Sequence, residues 1–377
     1  MMAMPFYASI AQAEPGNIPV GSMQLVPTLT LGESYNDNIF SKELKKDMKK
    51  SLITKIEPSF ILKADDGAKH YELGYKLSDA IYHQSHGDDV INHFVNFNAN
   101  LELSRKLTTA FYANYNLGHN PRGSIVGAAG NVAIPDAYRE GILGGSVDYG
   151  SNAHLIVSGE YNSKKYTNNY ASTNLRNFDS TKVGAEFSYD LTAKTSALLE
   201  VRYQRFNYLT APLDSTEQAY FTGLTWDATA KTSGSARIGY TNKNFVAAGK
   251  PNVGLLSWEV NAEWLPMSYS SWTLGTSSKP VESQGTGSVI KNNSVNLSWN
   301  HAWSELVSHS ASLGYSKDNY QGNPRLDKTT TANFSVNYQW FRWLAVSPSY
   351  DFRNLSSNIT NSSYKTNVWM FNLIGTL

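Results

Sequence analysis

Apolar and polar positions alternate along most of this chain with a repeat of two. From Ala332 onward, Ala332, Phe334, Val336 and Tyr338 interleave with Asn333, Ser335, Asn337 and Gln339. The pattern breaks at Phe341-Arg342-Trp343 and resumes through Leu344, Val346, Pro348 and Tyr350. It returns as Trp369, Phe371, Leu373, Gly375 and Leu377. A period of two puts each set on one face of a β-sheet. The alternation is equally clean at Val95–Leu101, Phe111–Leu117, Val183–Tyr189, Leu199–Tyr203 and Trp258–Trp264.

Read throughout, the pattern predicts eighteen strands, near 23–36, 52–64, 69–83, 90–103, 107–118, 138–149, 152–163, 178–190, 194–208, 217–228, 233–243, 253–265, 269–277, 288–300, 305–316, 328–340, 343–354 and 364–377. Short turns alternate with long polar connections, the longest at 119–137. This odd-even rule belongs to an all-β chain folded as a transmembrane antiparallel outer-membrane β-barrel with both termini on the short-turn, periplasmic side. A count of sixteen follows if the sixth or thirteenth hairpin is misread. Strands of this length exceed the roughly 9–11 residues that cross a bilayer at a tilt. Closure leaves no open edge in lipid. At sixteen to eighteen strands side chains no longer fill the lumen, and a water-filled pore is expected.

Composition agrees with this picture. The chain has 23 Tyr, 9 Trp and 15 Phe, yet its mean hydropathy is −0.38. That combination suits strands with one face in lipid and the other in water. No stretch approaches the roughly 20 apolar residues of a membrane-spanning helix. Lys and Arg total 32 against 31 Asp and Glu, so no global charge points to nucleic acid. With no cysteine, disulfides, thiolate metal sites and cysteine nucleophiles are excluded. Residues 1–13 end in Ala11-Gln12-Ala13, a small-x-small cleavage pattern, although no Lys or Arg precedes Lys42. The expected organisation is a signal-peptide remnant at 1–13, a periplasmic segment at 14–22 and one barrel at 23–377.

The polar face of the strands carries the candidate chemistry. The expected pore-lining residues are Lys76, Glu102, Lys182, Glu186, Glu200, Arg202, Arg237, Glu259, Glu263, Asp351 and Arg353. The same face also holds Lys55, Glu57, Lys63, Glu72, Glu140, Asp148, Glu160 and Asp190. Acids outnumber bases, which suits a mildly cation-preferring or sugar-tolerant lining; pairing of the charges across neighbouring strands is the bland alternative. His83-Gln84-Ser85-His86-Gly87-Asp88-Asp89 is the densest set of ligand-type residues, but a solvated turn accounts for it better than a metal. No His, Ser and Asp stand at a hydrolase spacing. No catalytic residue, metal or cofactor is therefore assigned. The run Lys42–Lys50 lies in the first outer loop and could pair with lipopolysaccharide phosphates, although a charged solvated loop accounts for it better. Trp299, Trp303, Trp340 and Trp343 fall near short turns, where an aromatic girdle anchors a barrel.

Two segments resemble a known family. Pro27, Leu29, Tyr35, Asp37, Asn38, Ile39 and Phe40 resemble the opening of the EpsL-type β-barrel porins. Arg325, Asp327, Tyr338, Arg342-Trp343-Leu344, Tyr350, Ser356-Ser357-Asn358, Tyr364 and Asn367 resemble their C-terminal part. The resemblance implies an outer-membrane barrel that exports an exopolysaccharide or capsular polysaccharide. It implies a periplasmic polysaccharide export protein as partner and no catalytic residues. A general or substrate-selective diffusion porin is the alternative. Outer-membrane lipid and the barrel-assembly machinery are the remaining expected partners; Leu377 stands where such barrels usually end on Phe.

Overall fold

The computed structural model describes residues 17–122, 133–229, 231–283 and 286–376. The expected signal-peptide remnant, the Gly127–Gly130 stretch of the longest connection and Leu377 lie outside the described residues. A three-residue strand, β1 (Ile18–Val20), pairs with the start of β2 (Met23–Asn36). The wall continues as β3 (Ser51–Asp65), β4 (Lys69–Tyr82), β5 (Val90–Ser104), β6 (Leu107–Asn120), β7 (Asp136–Gly150), β8 (Ala153–Tyr166), β9 (Phe178–Thr192) and β10 (Thr195–Tyr208). It is completed by β11 (Ser215–Thr229), β12 (Thr232–Phe245), β13 (Val253–Met267), β14 (Ser270–Glu282), β15 (Val289–Ala302), β16 (Val307–Gln321), β17 (Leu326–Phe341), β18 (Leu344–Ser357) and β19 (Tyr364–Thr376).

Each strand from β2 to β19 pairs antiparallel with its sequence neighbours, and β19 pairs with β2, Leu373 opposite Leu31. The result is a closed barrel of eighteen strands, so the count of sixteen is excluded. Closure pairs the backbone polar groups without an edge strand, which a lipid environment demands. Strands about 4.8 Å apart and tilted about 40° make a circular barrel of this size roughly 36 Å across between backbones.

Register carries the alternation around the whole wall. Leu199 lies beside Phe187 and Thr222, and Arg202 beside Gly184 and Ala219. Leu199 is 60% exposed and Leu198 1%, because the first points out of the wall and the second into it. Two aromatic belts ring the outward face. Tyr115, Tyr161, Tyr203, Tyr220, Tyr240 and Tyr315 are exposed toward the long-connection end. Trp303, Trp340 and Trp343 are exposed at the short-turn end, where Phe341 stacks between Trp340 and Trp343. Trp272 and Trp299 stack at 5.1 Å on neighbouring strands.

The strands run further toward the long-connection end than alternation indicates. β8 reaches Tyr166, β14 Glu282 and β16 Gln321, where the sequence predicts ends near 163, 277 and 316. Beyond the apolar layer both faces meet water or other protein, so the period-two contrast fades while the hydrogen-bond ladder continues.

Candidate functional site: the inner face of the barrel

Contacts that skip strands identify the concave side. Side chains converge inside a barrel and diverge outside it. Arg202 on β10 reaches Glu259 on β13 through Nη1–Oε1 at 2.8 Å and Nη2–Oε2 at 2.9 Å. It also binds Glu200, Nε–Oε1 at 2.6 Å and Nη2–Oε2 at 2.9 Å. Arg237 on β12 bridges Glu200 at 3.0 Å and Glu186 on β9 at 2.9 Å. Two guanidiniums thus knit three carboxylates across β9 to β13. The planar, five-donor fork of arginine suits this double bidentate task, which a lysine ammonium could not perform. Phe221 lies under the Arg202 guanidinium, 4.7 Å from its ring centre.

A second knot stands above the first, toward the long connections. Lys243 on β12 is fully buried and contacts Glu282, with Glu217 at 3.7 Å. Its ammonium lies 3.8 Å from the centre of the Phe206 ring. The Tyr208 hydroxyl donates to Glu282 at 2.5 Å. Glu282 belongs to β14, so this contact passes over β11, β12 and β13. The ladder between β13 and β14 ends at Trp258 opposite Ser278, while β14 and β15 stay paired as far as Glu282 opposite Val289. The end of the β14–β15 hairpin therefore leaves the wall and leans across the inner faces of β12 and β10. Beside it Ala211 and Leu213 turn inward onto Phe206 and Tyr208. On the opposite side Ile39 and Phe40 pack against Ile53, Ala80, Tyr82 and Val90.

All eleven expected pore-lining residues occupy inner-face positions in the register. Five of them, Glu186, Glu200, Arg202, Arg237 and Glu259, are brought together in the lattice. The other six are dispersed. Lys76 pairs with Glu57 at 3.2 Å, and Asp351 accepts from Asn333 at 2.5 Å. Arg353 lies over the Tyr364 ring at 5.9 Å. Lys182 stands between Glu160 and Gln204, Glu263 between Ser233 and Thr273, and Glu102 is exposed opposite Thr108.

Sequence reading missed Lys164, Tyr208, Glu217, Lys243 and Glu282. Lys164, one residue past the predicted strand end, binds Glu140 at 3.4 Å and covers Tyr138; Tyr208, Glu217 and Lys243 were recoverable from parity. Glu282 was not, because it sits on the outward parity of β14 and turns inward only with the hairpin. Pro280, which cannot donate to a ladder and favours free edges, is the one local hint.

The His83–Asp89 stretch disperses its ligand-type atoms. The His83 ring meets the Thr54 hydroxyl at 2.7 Å, and His86 Nδ1 meets Asp89 at 3.1 Å. Arg122 takes Asp88, with Nε donating to Oδ1 at 2.6 Å. That hydrogen bond raises the Arg122 pKa above its ordinary value. No group of three His, Asp or Glu gathers among the described residues. The Lys42–Lys50 connection holds one turn of helix at Lys45–Asp47, exposed to solvent.

The closed wall, the outward aromatic belts and the charged concave face define a membrane barrel, and a family model described as "Putative beta-barrel porin 2" matches residues 13–375. The chain belongs to this family. Solved outer-membrane barrels have the same architecture. OpdO of Pseudomonas aeruginosa superposes with a TM-score of 0.50 at 12% identity, over 93% of this chain and 96% of that one. A BenF-like porin from Pseudomonas fluorescens Pf-5 superposes with a TM-score of 0.50 at 8% identity, over 94% and 99%. At such identities the likeness shows the fold alone. No curated protein matches the chain. The family match supports a porin and carries no link to exopolysaccharide, so the order of the two functional readings is reversed from that implied by the terminal resemblance.

Proposed function

We propose that this porin is a selective diffusion channel for small polar solutes, with a preference for cations over anions. The observation that carries the reading is the charge of the concave face. The nineteen predicted inner-face charges together with Lys164, Glu217, Lys243 and Glu282 comprise fourteen carboxylates and nine bases. The lattice neutralises part of this excess, with three carboxylates on two guanidiniums. Glu102 and Glu263 remain without a basic neighbour in the register. A lumen lined by one sign of charge raises the local concentration of the opposite ion. The long connections face outward and both termini face the periplasm, in keeping with the short-turn rule.

The test is a planar-bilayer recording of the purified barrel under a potassium chloride gradient. Steady conductance without any partner and a reversal potential of cation-selective sign are expected. A silent barrel, or an anion-selective one, would defeat the proposal. Cysteines placed in 358–363 should label in whole cells with an impermeant maleimide, and those in 193–194 should not; the opposite result would reverse the orientation.

Polysaccharide export through the same lumen is the second reading, supported by the resemblance at 25–40 and 325–377. It requires that a periplasmic export protein dock at the short-turn end. Deletion in the host should then trap polymer in the periplasm; normal secretion would remove this reading.

A further inference from the structure

The outward face of β15 to β19 passes from apolar to basic at the long-connection end. On β16 the outward column reads Ala311, Leu313, Tyr315, Lys317, and on β17 it reads Phe334, Ala332, Thr330, Lys328. On β19 it reads Leu373, Phe371, Trp369, Asn367, Lys365. Lys317 and Lys328 stand directly opposite one another. Like charges at such a pair, about 4.5–5.5 Å apart at Cβ, destabilise a sheet. Lys365 follows two strands away, with Asn354 as its neighbour on β18. All three lysines are exposed, and none has an ion-pair partner among the described residues.

A second like-charged pair shows what is missing. Arg139 and Lys165 also oppose one another on the outward face, on β7 and β8. There Asp179 of β9 supplies a carboxylate 3.6 Å from Lys165. The β16–β17 pair has no such acid. Lys317 lies two residues beyond Tyr315 of the aromatic belt, and aromatic belts sit at headgroup level. A lysine just past the belt extends its ammonium into the headgroup layer.

We propose that Lys317, Lys328 and Lys365 form a docking surface for the phosphate groups of an outer-leaflet glycolipid. The lipid's acyl chains would lie along the apolar columns below, through Leu313, Phe334 and Phe371, all outward-facing and exposed. One phosphate would sit between Lys317 and Lys328, relieving their repulsion, and Lys365 would take a second. This surface rests on the orientation given above, which the cysteine labelling reports on its own. It is separate from the Lys42–Lys50 connection, which the sequence reads first as a charged solvated loop.

The delipidated full-length barrel in detergent is titrated with bisphosphorylated lipid A and followed by native mass spectrometry. The wild type should retain lipid that a Lys317→Gln/Lys328→Gln/Lys365→Gln variant loses. Each lysine near a phosphate-bearing surface is worth about 1 kcal/mol, or about fivefold, so the triple change should weaken binding about a hundredfold. The three side chains are exposed, so the variant should fold, which its heat-modifiability on gels reports. A Lys317→Arg variant should bind as the wild type does. A Lys45→Gln/Lys46→Gln/Lys49→Gln control should also bind normally. Dephosphorylated lipid A should bind weakly to both proteins, and inorganic phosphate should fail to displace the bound glycolipid. Undiminished binding by the triple variant would overturn the proposal, as would equal binding of the dephosphorylated lipid. Displacement by inorganic phosphate alone would reassign the surface to the free ion. Conductance of the same preparations reports the channel reading separately.

Discussion

Asn38 shows what the most recognisable residues of this chain do. It is 1% exposed. Its amide donates to the carbonyls of Lys42 and Lys365, both at 2.8 Å, and its Oδ1 accepts from the Lys42 amide at 3.0 Å. Next to it Asp37 accepts from the backbone and side chain of Asn367 at 2.8 and 2.6 Å. Ile39 and Phe40 then plug into the inner cluster. The opening motif and the C-terminal tail are thus a clasp across the β19–β2 seam, where the last strand meets the first. These residues serve the seam of the wall and contact no part of the charged knots in the lumen. Replacing Asn38 with Ala leaves two carbonyls and an amide without their partner, at about 1 kcal/mol for each lost bond. A loss of about 2–3 kcal/mol in urea unfolding from lipid vesicles is expected, with ion selectivity unchanged. Selectivity that shifts while stability holds would show that the clasp belongs to the pore. Arg202→Gln should behave oppositely. It removes a positive charge, releases Glu259 and leaves Glu200 on Arg237 alone, so the ratio of cation to anion permeability should rise. A fall in that ratio would contradict the assigned sign of the lumen.

Among the elements, the β14–β15 hairpin departs furthest from the regular wall. The knot of Lys243, Glu282, Glu217 and Tyr208 ties its end to β10, β11 and β12. Removing one partner of a buried charge pair leaves the other uncompensated, which is costly in a low-dielectric site. Glu282→Gln should therefore loosen the hairpin from the inner wall and increase single-channel conductance. Unchanged conductance would mean that the hairpin does not narrow the path. The eighteen strands were legible in sequence because an outward Leu, Tyr or Trp next to an inward Asn, Glu or Ser recurs in lipid-facing wall. Parity alone then ordered the inner face, down to Arg202, Arg237 and their three carboxylates. What stayed hidden has a physical cause in each case. Parity cannot reveal that Arg202 meets Glu259 three strands away, because curvature and side-chain reach decide that. Nor can it follow Glu282, whose strand leaves the wall. β1 was missed because three residues carry too little alternation to read.

For the whole molecule, the charges of the chain balance almost completely while those of its concave face do not, and that asymmetry has a measurable consequence. With 32 bases and 31 acids, an acid-rich lumen places the compensating bases elsewhere, including Lys317, Lys328 and Lys365 on the outward face and Lys45, Lys46 and Lys49 in a connection. The lumen field acts on a passing ion only within the reach of its unpaired carboxylates. That reach is about 10 Å at 0.1 M salt and about 3 Å at 1 M. In a barrel roughly 36 Å across between backbones, narrowed by inward side chains and by the leaning hairpin, a field of the first reach covers far more of the lumen than one of the second. The cation preference should therefore be clear at 0.1 M and fall toward parity at 1 M. The Glu102→Gln/Glu263→Gln variant should lose much of the low-salt preference and little at high salt, because it removes only charges that act through water. Glu186, Glu200 and Glu259 are already countered by guanidiniums at contact distance, where salt screens little. A selectivity that persists unchanged at 1 M would locate it in a narrow constriction instead, and the Lys243–Glu282 knot would be the place to look.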